Sequence, residues 1–187
     1  FVTTAQRWAT DDGSGDFTPV YFQDCPRLYE RGYRSLDIFI AEASPMDKHG
    51  YLNFGASVAE SKSCAKVAKM VILEVNENQP VVHGDGFIHI SDVDFIVENN
   101  EDLPTMGAVP ISEKDEIMGR FIADAIPNGA TIQIGVGGVP NAVCKFLKGK
   151  KDLGIHTEFF SDTMLELIEQ GIVTNKMKKI HNGKSLF

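Results

Sequence analysis

Cysteine is scarce in this sequence and widely scattered. Cys25, Cys64 and Cys144 form no CxxC pair, and an odd, dispersed set is no disulfide framework, so a reducing compartment is expected. Positive charge is also short: 18 Lys and Arg face 26 Asp and Glu, a formal charge of −8. Nucleic acid and anionic membrane both call for clustered cations, so neither is expected as a partner. That balance leaves room for an anionic small molecule, because a glycine-rich loop or a helix N-terminus binds phosphate locally. No apolar run approaches the ~20 residues of a membrane helix, and Phe1-Val2-Thr3-Thr4 lacks the basic, then apolar, opening of a signal peptide. Phe1 and the close at Ser185-Leu186-Phe187 read as cut points, so a cytoplasmic fragment is the expectation. Asp47, His49, His83, Asp85 and His89 match no standard ligand spacing, and no metal is expected. Internal repeats and low-complexity tracts are missing as well.

What is present is enough for a core. Of 187 residues 43% are apolar and 24% charged, which suits one large or two small globular domains. Residues 1–16 are polar, with an exposed loop expected at 11–16. Apolar runs at 36–42 and 69–75 read as buried strands, the first ended by Ser44-Pro45 and the second by the turn Asn76 to Pro80. Residues 57–69 read as helical, and the polar stretch 98–107 is the best internal boundary.

Ser112 with Asp115 resembles a capping box, and Ile117, Met118, Phe121, Ile122 and Ala125 share one face of the helix it starts. Pro127-Asn128-Gly129 ends that helix. A strand at 130–134, a tight Gly135-Val136-Gly137-Gly138 turn, a helix at 140–147 with Pro140 in its first turn, and a strand at 153–157 follow. A helix near 162–170, stopped by Gly171, completes a strand–helix–strand–helix run that implies an α/β fold with a parallel sheet.

Ligands of open α/β sheets bind beyond the carboxyl ends of the strands, where the glycine turn and Glu158 both fall. Inward N–H groups of glycines suit a phosphate or an oxyanion. Glu158 lies between Thr157 and the pair Phe159-Phe160, which is expected to desolvate it and make it more nucleophilic. Two other readings stand beside this one. A dinucleotide site wants G-x-G-x-x-G and an acid about 20 residues on; Gly135, Gly137 and Glu158 fit, but Pro140 occupies the third glycine's place. The plain structural alternative is a βα turn and an ordinary surface glutamate. His156 reads as a packed histidine rather than a partner of Glu158, Cys144 and Cys64 as core residues, and Ser161-Asp162 as a helix cap.

Three segments carry a family resemblance: Thr131 to Val143 with Leu153 to Glu158; Ser44 to Gly55; and Val75 to Pro80 with Ile90 to Asp94. Together they resemble the acetyl-CoA hydrolase/transferase family of CoA-transferases, in family order, from about residue 16 to 180. The resemblance implies an open, mostly parallel α/β sheet flanked by helices, of the NagB/RpiA type and incomplete here. Residues 1–107 would be the rest of an N-terminal domain, and 108–187 the start of a C-terminal one carrying the catalytic glutamate. It further implies Glu158 as covalent nucleophile, Gly135, Val136, Gly137 and Gly138 as oxyanion and CoA-binding loop, and Met46, Asn53 and Phe54 as acyl-pocket candidates. Coenzyme A would be a substrate, with no permanently bound cofactor. Partners would be an acyl-CoA and a short-chain carboxylate, within a dimeric or tetrameric full-length protein. Butyryl-CoA and acetate are the expected pair, with a 4-hydroxybutyrate transferase, an acetyl-CoA hydrolase or a noncatalytic fragment as alternatives.

Overall fold

The computed structural model describes residues 2–56, 58–105, 107 and 109–187. The chain divides into two compact units, Phe1–Thr105 and Met106–Phe187.

The first unit opens with two short helices, α1 (Arg7–Asp11) and α2 (Cys25–Glu30). No helix was expected in the polar opening; α1 is one turn long and buries none of its residues. Strand β1 (Ile38–Ala43), β2 (Tyr51–Asn53), helix α3 (Ser61–Val67), β3 (Met70–Val75), β4 (Phe87–His89) and β5 (Phe95–Glu98) follow. Strands β1, β3 and β5 form a parallel sheet in that order, with Ile40 opposite Ile72 and Ile72 opposite Phe95. β2 and β4 pair antiparallel.

Strand side chains alternate between faces, and only one face of the parallel sheet is packed. Phe39, Ala41 and Ala43 join Val71, Leu73, Leu52, Phe54 and Ile88 in the core. On the other face Ile38, Ile40, Phe95 and Val97 stay exposed. The strand expected at 36–42 is therefore half-buried rather than buried, because no described element covers its second face.

The second unit begins with α4 (Glu113–Ala125). Its capping box is complete: the Ser112 hydroxyl accepts from the Asp115 N–H, and the Asp115 carboxylate accepts from the Ser112 N–H. β6 (Thr131–Ile132), α5 (Gly138–Phe146), β7 (Gly154–Ile155) and α6 (Asp162–Glu169) form the βαβα run, with β6 and β7 parallel. Gly171, at φ +70°, stops α6. Leu147, Leu153, Ile155 and Met164 are fully buried at the centre of this unit.

Helix α4 packs through a face other than its apolar stripe. Ile117, Met118, Phe121 and Ile122 do share a face, yet that face is exposed, Phe121 to 73%. The helix buries Gly119 and Ala123 instead. A Cβ on Gly119 would lie 2.7 Å from the Ala142 Cβ and 2.8 Å from its carbonyl carbon, so the α4 and α5 backbones touch through the glycine. Arg120 lays its guanidinium over Phe146, 4.5 Å from the ring centre. Periodicity says which residues share a face; close backbone approach decides which face packs.

Candidate active site

The second unit brings the glycine turn and Glu158 to neighbouring positions, and the device that does so is Thr157. The last backbone rung between the strands runs from His156 N–H to Ile132 O at 3.0 Å. Beyond it the buried Thr157 side chain takes over, its hydroxyl donating to Ile134 O at 3.0 Å and accepting from Ile134 N–H at 3.2 Å. Gly135 and Glu158 are the residues immediately after this tie, so each leaves its strand from a fixed point beside the other.

Gly137 sits at φ +136°, a conformation open in practice to glycine alone, and serves as N-cap of α5. Gly138 answers a different need: the Asp115 carboxylate occupies the space a Cβ would fill, so this glycine admits the capped start of α4 to the start of α5. Gly135, Val136 and Gly137 line a cleft of about 240 Å³ with Asn141, Phe159, Phe160 and the first turn of α6. The N-termini of α5 and α6 border that cleft; the α5 N-cap is a glycine with no side chain to offer, and the Ser161 side chain does not bond back to α6. Ser161 caps α6 by position only; its hydroxyl pairs with Thr163 Oγ1 at 2.9 Å. Helix N-termini whose first N–H groups lack a side-chain cap favour an anion there. Ligand pockets for drug-sized molecules run to roughly 300–1,000 Å³, so the cleft has room for a carboxylate or short acyl group rather than a whole nucleotide.

Glu158 itself is exposed and not among the cleft's lining residues. The expected desolvation by its aromatic neighbours is absent: Phe159 is 38% exposed, and Phe160 stacks on Phe187 at 4.5 Å between ring centres. His156 faces elsewhere, its ring edge-on to His181 at 6.4 Å, and lines a separate cleft with Thr131, Met177 and Lys178.

The candidates in the first unit are not gathered into one pocket. Asn53 is buried with its amide occupied: Oδ1 accepts from Gly55 N–H at 2.9 Å and Val82 N–H at 3.1 Å, while Nδ2 donates to Val82 O at 2.9 Å. Phe54 is a core residue, edge-on to Phe39 at 6.1 Å, and Met46 is exposed. Asp47 organises its loop by accepting from His49 N–H and Tyr51 N–H, and the Tyr51 bond above all holds its carboxyl below the usual range. Among the described residues no three His, Cys, Asp or Glu side chains cluster as a metal site would require. No helix among them is long and apolar enough to cross a membrane. Cys144 is buried beside α6, and burial pushes its thiol upward; burial likewise pushes Cys64 to about 11.

Sequence reasoning passed over Asn175 and Lys178, both buried polar residues that grip β7. Their stretch has no apolar period, and its one signal is polar residues following a helix-stopping glycine.

Mostly parallel sheets flanked by helices, with a glycine turn and a carboxylate at adjoining strand ends, are the class defined so far. The solved 4-hydroxybutyrate CoA-transferase of Porphyromonas gingivalis has this fold: it superposes with a TM-score of 0.84 at 36% identity, over 97% of this chain and 46% of that one. The family model for the acetyl-CoA hydrolase/transferase N-terminal domain matches residues 1–106. The 4-hydroxybutyrate coenzyme A transferase of Clostridium kluyveri is 41% identical over 98% of this chain. The succinyl-CoA:cyclohexane-1-carboxylate CoA transferase of Geobacter metallireducens is 43% identical over 100% of it. The chain belongs to the acetyl-CoA hydrolase/transferase family. It spans 43% and 42% of the length of those two relatives.

Proposed function

We propose that the full-length protein moves coenzyme A between an acyl-CoA and a short-chain carboxylate, with Glu158 as covalent nucleophile. The Thr157–Ile134 tie supports this reading, since it joins the two strand ends from which the Gly135–Gly137 turn and Glu158 depart. A Glu158 oxygen attacks the thioester carbonyl, and the turn stabilises the oxyanion. The C–S bond breaks, leaving a mixed anhydride and CoA thiolate. The thiolate attacks the glutamyl carbonyl carbon, expels the first carboxylate and forms a glutamyl-CoA thioester. An incoming carboxylate attacks that carbon, releases the thiolate and forms a second anhydride. The thiolate then attacks its acyl carbon, giving the new acyl-CoA and free Glu158. Each exchange trades one acyl thioester for another, so little free energy is lost. The residues 1–107 and 108–187 are read as parts of the N-terminal and C-terminal domains of this enzyme.

Butyryl-CoA and acetate are the proposed pair, and the small cleft beside the turn is consistent with a short acyl group. Hydrolysis is the competing outcome, favoured by one observation, the exposure of Glu158. Acceptor dependence separates the two: release of CoA that ignores added carboxylate means hydrolysis. In the full-length protein Glu158→Ala is expected to lower transfer about a thousandfold or more. Borohydride treatment after incubation with acyl-CoA, followed by mass mapping, should place the modification at Glu158. Normal transfer by Glu158→Ala would end the proposal.

A further inference from the structure

After α6 the chain folds back along the edge of β7 that β6 leaves free. Leu153 N–H donates to Ile172 O, Thr157 N–H to Leu186 O, and Leu186 N–H to Ile155 O, at 2.9, 2.9 and 3.2 Å. Two buried side chains reinforce this return. Asn175, at φ +57°, accepts from Ile155 N–H through Oδ1 at 2.9 Å and donates to Ser185 Oγ through Nδ2 at 3.1 Å. Lys178, only 4% exposed, donates from Nζ to Ile155 O at 2.7 Å and to Lys184 O at 2.6 Å. Its stem lies over Gly154, where a Cβ would come within 2.7 Å of Lys178 Cγ.

Both backbone groups of Ile155 are thus held by side chains of one loop. Burying an ammonium group against carbonyls is a costly way to hold a loop, since apolar packing would do so without the desolvation penalty. Burial pushes the Lys178 amine below its usual range. What the arrangement does supply is a strand that cannot slide, and Ile155 lies just upstream of Thr157 and Glu158.

We propose that Asn175 and Lys178 are positioning residues, which fix β7 in the register that presents Glu158 to the glycine turn. The inference rests on the reading of Glu158 as nucleophile. In the full-length protein, Lys178→Met and Asn175→Gly should each lower kcat by about 100-fold, the scale of a misplaced reacting group. KM for acyl-CoA should stay unchanged, and single-turnover formation of the glutamyl-CoA adduct should slow by the same factor as kcat. Ser185→Ala removes only the outermost bond and should cost about threefold in kcat with the fold intact. It decides the matter if the deeper variants fail to fold. A normal kcat in a folded variant, or a raised KM with kcat unchanged, overturns the proposal. Active Glu158→Ala would sink the nucleophile assignment and this inference together. Inactive Glu158→Ala beside fully active loop variants would sink this inference alone.

Discussion

Replacing Thr157 by valine keeps the shape of the side chain and deletes the hydroxyl that joins the two strand ends. Ile134 N–H and Ile134 O then lose their partner at a site where Thr157 is 6% exposed, so water cannot readily replace it. Each buried backbone group left unpaired costs about 1–3 kcal/mol, which makes a total of roughly 2–6 kcal/mol for the two. Thr157→Ser is the control: it retains both bonds and gives up one methyl group, about 1 kcal/mol at most. With two compact units in the chain, global unfolding need not be two-state, so the readout should be local. Hydrogen exchange, followed by mass spectrometry of a peptide spanning 131–136, reads the Ile134 amide directly. A loss of 2 kcal/mol of local protection corresponds to exchange about 30-fold faster in Thr157→Val. Catalytic transfer in the full-length protein should fall with it, by about 10- to 100-fold in kcat, as Glu158 leaves its register. Unchanged exchange at Ile134 in Thr157→Val, or an equal effect in Thr157→Ser, would refute the claim that the hydroxyl makes the tie.

Gly119→Ala improves helix propensity by about 1 kcal/mol, but its methyl would press on the Ala142 Cβ and backbone; we expect a net loss of about 1–3 kcal/mol and a lower Tm, and an unchanged Tm would count against the close α4–α5 contact. With iodoacetamide at about pH 8, near the ordinary thiol range, mass mapping should find the part-exposed Cys25 alkylated well before Cys64 and Cys144, both buried; equal rates would contradict their burial. Asp115 is held below the ordinary carboxylate range, first by its bond with the Ser112 side chain and then by the Ser112 N–H. A folded-state pKa below the unfolded value stabilises above the unfolded pKa and is lost as pH falls through the folded one. Asp115→Asn should therefore lower Tm most at neutral pH and hardly at all in acid, and a Tm difference constant with pH would oppose this account.

The legible parts of the fold are those written in local chemistry. Ser112 and Asp115 form the capping box their spacing implies, and Gly171 stops α6 as a left-handed glycine does. The strand–helix–strand–helix order follows from the alternation of apolar runs and breakers, and Gly137 needs the backbone that only glycine adopts. What escaped was set by partners distant in sequence. The spacing of the α4 stripe told which residues share a face but not where it points; Gly119 meets Ala142, and the stripe is exposed. Phe159 and Phe160 looked like a cover for Glu158, but Phe160 has Phe187 to stack on. Asn53 looked like a pocket residue, yet its amide closes the bonds of Gly55 and Val82, 29 positions away in the latter case. Lys178 and Asn175 were passed over altogether, because nothing local announces that both end on Ile155.

The openness of Glu158 bears on the rivalry between solvent and substrate. If the carboxylate is acylated where it stands, its anhydride and thioester face water as readily as they face an acceptor. The proposed transfer would then have to prevail by speed rather than by shielding. On the proposed reading, an acceptor carboxylate attracted to the N-termini of α5 and α6 would meet the adduct at high local concentration, while water would arrive unassisted. On this footing, added salt that weakens the attraction of those dipoles would divert turnover from exchange to hydrolysis without touching the nucleophile.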